Sequence, residues 1–343
     1  MQNKLSICIP TYNREKYLKE AFNSIVNQLD DTIKDRVEIC VSDNASSDNT
    51  RKLVESYKEF TPHITYFRWD KNMGADLNYL KVVEIAHGKY CWFLGSDDIL
   101  EPNALKIILK EIDQNPQINI FCINNNRYDI NLQNKKIPRH AMYKYKTNMI
   151  FNNTYDCIKN MGTMFGYLSA LAFKKHLWDK YAVEKKFIGS AYSHIYILFS
   201  ILKNYSGRTE WVSDALIGCR GGNDSFLLKG IIKRISYDII GYNDITADVF
   251  GKNSKELKVL NSHVINRYIF TNILHSVNNN QADFDYRWKV LNLTYKYYRS
   301  YSSFWFRIIP LLITSYPMML SIRFFYRMFI KKFISVEEIV ERF

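Results

Sequence analysis

Two periods of apolar and polar residues take turns along the first 126 residues. "KLSICIP" (4–10), "VEICVSD" (37–43), "ITYFRWD" (64–70), "KYCWFLGSD" (89–97) and "INIFCIN" (118–124) are short runs rich in Ile, Val, Phe and Cys, and they read as strands. Between them the period changes. "REKYLKEAFNSIVNQ" (14–28) places Tyr17, Leu18, Ala21, Phe22, Ile25 and Val26 on one helical stripe. "SSDNTRKLVESYKEF" gives a second helix with Ser47 or Asp48 as its cap, "GADLNYLKVVEIAHG" a third, and Pro102 opens a fourth. Strands separated by helices predict right-handed crossovers and a mainly parallel sheet covered on both faces, the α/β class.

In such sheets ligands bind beyond the carboxyl ends of the strands. The successive strand ends here deliver "PTYNR", "SDNASSD", "DKNMG" and "GSDD" to one rim. Capping of the next helix accounts for Asp98 alone. It does not account for Asp43 and the Asp97–Asp98 pair arriving at the same crevice, so the cluster predicts a ligand site. No GxxxxGK[ST] and no GxGxxG follows the first strand, which argues against a kinase or a dehydrogenase. Paired carboxylates without His or Cys partners form an oxygen-only site suited to Mg2+ or Mn2+, and these ions commonly take further ligands from substrate phosphates.

Composition narrows the picture further. The 343 residues carry a net charge of +13, and residues 287–343 hold ten Lys/Arg against three Glu. Such a basic end suits an anionic surface. Six cysteines (8, 40, 91, 122, 157 and 219) lack the spacing of a metal knuckle or redox pair and read as core residues of a reducing compartment. The N-terminus runs directly into a strand, without the pattern of a signal peptide. The uncharged stretch 308–322 is 15 residues long and broken by Pro310 and Pro317. That is short of the roughly 20 needed to span a bilayer.

"SICIPTYNR", "VEICVSDNASSDNT" and "NMGADLNYLKVVEIAHGKYCWFLGSDD", in that order, resemble the nucleotide-sugar half of the family 2 glycosyltransferases, which have the GT-A fold. The resemblance implies that Asp43 holds the nucleotide base, that Asp97 contacts the ribose side and that Asp98 reaches a metal bridging the phosphates. It implies that Pro10, Thr11 and Arg14 line the nucleotide, with Asn72 and Gly74 at the pocket floor. The pair reads Ser-Asp-Asp, without the leading acid of the common D-x-D spelling. A carboxylate at Asp43 accepts equally from the N3–H of uracil and the N4 amine of cytosine, so it does not choose between UDP and CDP.

Further along, "FIGSAYSHIYILFSIL" (187–202) resembles the family's acceptor-side helix, whose start usually reads Glu-Asp; here the positions are Ser193 and His194. His194 becomes the expected general base, with Asp224 as second choice. "ALIGCRGGNDSF" (215–226) resembles the segment where a basic residue, here Arg220, closes over the diphosphate. "GYLSALAFKKHLWD", taken with these two stretches, is most similar to the abequosyltransferases of O-antigen assembly. This implies a CDP-linked 3,6-dideoxyhexose as donor, a lipid-linked oligosaccharide as acceptor and inversion at the anomeric carbon. A UDP- or dTDP-sugar would leave the motifs unchanged.

The expected domains are 1–230, divided into a nucleotide-sugar half (1–126) and an acceptor half (127–230), and a mostly helical region 231–343. "SSFWFRIIPLLITSYPMMLSIRFFYRMFIKKF" mixes aromatics with Arg307, Arg323, Arg327, Lys331 and Lys332. It suits a segment lying on an anionic membrane, or equally a helical subdomain with a basic outer face. The expected location is the cytoplasmic face of the bacterial inner membrane. A nucleotidyltransferase would need a glycine-rich, basic first loop, which "PTYNR" is not. A non-catalytic nucleic-acid or membrane module would not need acids at three strand ends, and no nucleic-acid partner is expected.

Overall fold

The computed structural model describes residues 4–61, 63–138, 141–223, 226 and 230–325. The chain falls into two compact units. One comprises residues up to 224 together with 245–252; the other comprises 225–244 together with 253 onward. The division therefore lies near 224 rather than 230, and a short helical piece beyond it belongs to the first unit.

The first unit is built on one sheet. Its strands are β1 (Leu5–Thr11), β2 (Val37–Asp43), β3 (Ile64–Arg68), β4 (Tyr90–Phe93), β5 (Ile99–Leu100), β6 (Ile120–Tyr128), β7 (Met149–Phe151), β8 (Leu171–Lys174) and β9 (Thr209–Arg220). Their order is β3-β2-β1-β4-β8-β6-β9-β5, with β7 also on β9. The pairs β2–β3, β1–β2 and β1–β4 are parallel, as the alternating pattern predicts. The departures are β8, antiparallel between β4 and β6 in the middle of the sheet, and β5 and β7, both antiparallel to β9. Every residue of β1, β2, β4 and β8 is buried, so these strands read as continuous apolar runs and not as alternating ones.

The flanking helices are α1 (Glu15–Val26), α2 (Thr50–Tyr57), α3 (Ala75–Glu84), α4 (Ala104–Gln114), α5 (Thr154–Met161), α6 (Lys175–Trp178) and α7 (Ser193–Asn204). In α1 the buried positions are Leu18, Ala21, Phe22 and Ile25, the spacing of one helical face. The start of α2 is tied by Asp48, not Ser47. One oxygen of Asp48 accepts from the Thr50 N–H (3.1 Å) and the other from the Glu15 N–H (3.0 Å), so one carboxylate serves the first turns of two helices. Helix α7 is buried almost all round, from Ser193 through Leu202 with Tyr196 as the exception, which makes it a core element.

In the second unit are α8 (Ile231–Ile239), α10 (Lys255–Val264), α11 (Phe270–Asn278), α12 (Phe284–Tyr298), α13 (Ile309–Ile313) and α14 (Tyr316–Phe325); α9 (Ile245–Phe250) belongs to the first. Three π-helical turns, at 240–244, 265–269 and 304–308, interrupt the helices. The aromatic stretch after 303 is partly core: Phe304, Ile308, Leu311 and Leu312 are buried, while Phe306 and Ile313 are exposed. Arg327, Lys331 and Lys332 lie outside the described residues. No described helix is long and apolar enough to cross a membrane.

Candidate active site

Strand register sets the rim. Thr11 pairs with Asp43, and Asp43 with Arg68, so β1, β2 and β3 end level. Strand β4 stops lower, with Phe93 beside Cys8, and the loop 94–98 climbs from there, the Leu94 N–H donating to the Cys8 carbonyl (2.9 Å). Asp97 and Asp98 therefore sit on an extension of the sheet rather than inside it.

The two acids have different surroundings. Asp98 is 5% exposed. Its Oδ2 accepts from the hydroxyls of Ser169 (2.6 Å) and Tyr167 (2.8 Å), and its Oδ1 from the Arg220 main-chain N–H (3.0 Å). Burial, reinforced by the charge of Asp97, pushes its carboxyl up to about 7 despite these donors. Asp97 has a side chain 23% exposed, and its Oδ2 pairs with Arg14 and accepts from the Asn223 amide. The expectation that Asp98 faces a metal meets a different arrangement: both of its oxygens already accept from the protein, and Asp97 is the more exposed of the two acids. A Cβ at Gly95 would lie 3.1–3.2 Å from side-chain oxygens of Asp97, Asp98 and Ser169, so the loop packs closely against all three groups.

Asp43 is fully buried at the end of β2. Its Oδ1 accepts from the Ser46 N–H (2.8 Å) and its Oδ2 from the Tyr66 hydroxyl (2.7 Å), with Arg68 Nε 3.7 Å away. Burial and the adjacent carboxylate raise the Tyr66 hydroxyl above its ordinary range. Pro10 and Thr11 are buried beside it, and Thr11 Oγ1 has no hydrogen-bond partner. The loop expected to floor the pocket is held by Asn44. Its Nδ2 donates to Asn72 Oδ1 (2.9 Å), and its Oδ1 accepts from the Met73 N–H (2.7 Å). Gly74 has φ +86°, a left-handed conformation with open space around it, so backbone freedom rather than close packing calls for glycine.

Arg220 is corrected as well. Its guanidinium points inward: Nε donates to the Asp97 carbonyl (2.8 Å), Nη1 to the Ile130 carbonyl (2.7 Å), and Nη2 pairs with Glu20. The group lies 4.6 Å from the centre of the Tyr17 ring, and the side chain is almost fully buried. It braces the Asp97 loop from behind. Arg220→Ala is expected to cost about 2 kcal/mol of stability, because the Asp97 and Ile130 carbonyls lose their donor while Glu20, 39% exposed, returns to water, and urea unfolding would measure this.

His194 is 1% exposed. Its Nε2–H donates to the Phe165 carbonyl (2.9 Å), its Nδ1 has no partner, and Tyr79, Phe93 and Tyr192 surround the ring. Burial pushes the imidazole down to about 4, only partly offset by the Phe165 carbonyl and Asp76. The expected general base is thus a core histidine, too weakly basic and too enclosed to reach an acceptor hydroxyl. Asp224 lies outside the described residues. Asn223, which precedes it, touches both Asp97 and Arg14.

Several organising residues lie in or near the quoted stretches without being singled out there: Tyr167 and Ser169 on Asp98, Glu20 on Arg220, and Asn44 beneath the 72–74 loop. Asp76 is another. It accepts from the N–H groups of Gly189 (2.7 Å), Ala191 (2.9 Å) and Ser193 (2.9 Å), tying α3 to the entry of α7. A polar residue inside an apolar run, as Ser169 is in "YLSALAF", was the available signal.

As a metal site the arrangement offers one outward carboxylate. Among the described residues no three His, Cys, Asp or Glu side chains gather as a ligand set. An ion at Asp97 fits only if diphosphate oxygens and water supply the other ligands, the usual manner for Mg2+.

The family model for glycosyl transferase family 2 matches residues 6–173. The abequosyltransferase RfbV of Salmonella typhimurium is 36% identical over 258 residues, 73% of this chain and 76% of that protein. The chain belongs to glycosyl transferase family 2. It is a glycosyltransferase. The GalNAc(5)-diNAcBac-PP-undecaprenol beta-1,3-glucosyltransferase of Campylobacter jejuni is 35% identical over 112 residues, covering 32% of this chain and 35% of that one. The crystal structure of Staphylococcus aureus TarS 1-349 in complex with UDP-GlcNAc superposes with a TM-score of 0.62 at 17% identity, over 87% of this chain and 82% of that one. That likeness shows the fold, which is GT-A.

Proposed function

We propose that this glycosyltransferase moves a 3,6-dideoxyhexose such as abequose from a CDP donor to a lipid-linked oligosaccharide in O-antigen synthesis, with inversion at the anomeric carbon. One observation carries the reading. The identity with the abequosyltransferase runs over 258 residues, more than residues 1–126 can hold, so it takes in the acceptor half. The match to the Campylobacter enzyme spans 112 residues and needs no such extension.

In this reading Asp43 receives the base through lone pairs that Ser46 and Tyr66 leave free. Pro10 and Thr11 wall the nucleotide, and Asn72 and Gly74 floor it. Asp97 takes the place first expected of Asp98 and would hold Mg2+ or Mn2+ together with the donor's phosphates. The bound ion would supply positive charge to the departing diphosphate. Arg14, already at Asp97, is the movable cation of the site and turns to the phosphates when Asp97 takes its ion. Asp98, Ser169, Tyr167 and Arg220 keep the Asp97 loop in one shape. Asp224 receives the proton of the acceptor hydroxyl, and His194 packs behind the acceptor-side helix. Six free cysteines, five of them buried, support work in a reducing compartment, at the cytoplasmic face of the inner membrane.

A thermal-shift panel of CDP-, UDP-, GDP- and dTDP-sugars, each with and without Mn2+, tests this. A CDP-sugar is expected to raise Tm most, and more with Mn2+ than without. A shift by UDP- or dTDP-sugars with none from CDP would reassign the donor.

A further inference from the structure

Helix α12 has two unlike sides. Tyr286, Val290, Thr294 and Tyr298 are buried at spacings of four. On the outside, Phe284 is 82% exposed, Trp288 55% and Tyr295 42%. At about 100° per residue these three aromatics fall on one stripe about 40° wide. Arg299, Lys296 and Lys289 follow as a band along one edge of that stripe, all exposed. The stripe continues off the helix: the Trp305 ring lies 6.3 Å from that of Tyr295, and its Nε1–H donates to the Arg299 carbonyl (2.8 Å). Arg299 sits over Tyr295 at 5.3 Å. Beside the basic band, a groove of about 640 Å3 between α8 and α12 is lined by Ile231, Ile232 and Leu293 together with Lys233 and Lys289.

Exposed aromatics this large have no use in water, and a row of them beside cations is unusual for a free surface. We propose that this face of α12, with Trp305, docks the protein on an anionic lipid surface. The aromatics enter the headgroup region, where amphipathic rings are favoured, while Arg299, Lys296 and Lys289 meet lipid phosphates. Charge complementarity selects this occupant: residues 284–299 hold four Lys/Arg against one acid, Asp285. Asp285 pairs with Lys289 at 2.6 Å, so Lys296 and Arg299 carry most of the attraction. The groove adds aliphatic walls next to two ammonium groups, which suits a lipid phosphate and the start of its chain. The contact surface is therefore α12 with Trp305, while Phe304, Ile308, Leu311 and Leu312 of the stretch after 303 face the core.

Co-sedimentation of the full chain with vesicles decides the matter. Phosphatidylcholine vesicles with roughly one third phosphatidylglycerol should bind it, with pure phosphatidylcholine binding far less and 1 M salt releasing it. Phe284→Ala with Trp288→Ala should weaken partitioning by about tenfold or more. Lys296→Ala with Arg299→Ala should weaken it by about twenty-five-fold, at about fivefold per basic residue. All four side chains are exposed, so circular dichroism and Tm should match the wild type. Transfer to a water-soluble acceptor should be unchanged, which separates failure here from failure of the proposed reaction. Equal binding to neutral and anionic vesicles, no binding, or undiminished binding by the aromatic pair would overturn the proposal. So would sedimentation showing a dimer that the aromatic pair dissolves, which would assign the face to a second copy.

Discussion

Asp97→Asn is expected to lower sugar transfer by about 10²–10³-fold, the scale of losing one well-placed charge partner in a transition state. The substitution removes the outward negative charge while leaving shape and hydrogen-bonding capacity close to the original. Without it, donor binding should lose its dependence on Mn2+, while binding of the bare nucleoside, which in the proposed reading engages Asp43, should persist. Asp98→Asn provides the contrast. Its neighbours are two hydroxyls, which can rotate to accept, and one N–H, which an amide oxygen can receive. The variant should fold and keep metal-dependent donor binding. Its stability relative to wild type should rise as pH climbs from about 4 to about 7. Over that range the unfolded Asp98 is already ionised while burial resists ionisation in the folded chain, held up to about 7, so the native protein alone bears the cost. Isothermal titration with CDP-sugar and Mn2+ distinguishes the two. Metal-dependent binding that survives at Asp97→Asn and disappears at Asp98→Asn would restore the assignment first expected from sequence.

Asp224→Asn is expected to slow turnover by about 10²–10⁴-fold with donor affinity preserved, the range for a missing general base. The wild-type rate should then rise with pH through the carboxylate range near 4 and be flat across the imidazole range. A rise between pH 6 and 7 would return the role to a histidine. His194→Ala should behave differently, losing about 2–4 kcal/mol of stability as a buried ring is removed, with turnover of the folded enzyme close to wild type. The acid sensitivity of folding carries the same signature. Because burial holds His194 down to about 4 against an ordinary 6.5, the unfolded chain takes up the proton first. The stability this ring contributes is complete above pH 6.5 and is lost as pH falls toward about 4, by about 3 kcal/mol in all. Denaturant titrations at pH 7 and pH 4.5 should show that increment in the wild type and not in the alanine variant.

Much of the architecture was legible before any coordinates. Strands β1, β2 and β4 could be located because a strand buried on both faces reads as a largely apolar run, and β3 and β6, which are less completely buried, because they are rich in Ile, Tyr and Phe. Helices α1 to α4 could be located because a helix covering such a sheet must repeat its apolar residues every three or four. The rim followed from these, since parallel strands all end on the same side. For that reason Asp43, Arg14 and Asp97 lie close to the carboxyl ends of the strands, the rim the alternating pattern points to. Strand β8 did not announce itself. It is four residues long, and its direction is set by pairing with β4 and β6, which lie about 50 to 80 residues earlier in the chain. Its insertion brings Tyr167 and Ser169 to Asp98, and this decides which of two adjacent acids turns inward. Neighbours in sequence are chemically equivalent until something distant packs against one of them. Arg220 and His194 follow the same rule. Each is a residue type that suits chemistry, and each was read as chemistry from its place in a motif. A guanidinium, though, goes where acceptors are, and here Glu20, Asp97 and Ile130 supply them from three separate segments. An imidazole keeps its basicity only where water reaches it, and α7 is buried almost all round. Local pattern thus determined the elements and the rim at which the candidate site lies. The direction of each charged side chain was decided by contacts between segments far apart in the chain.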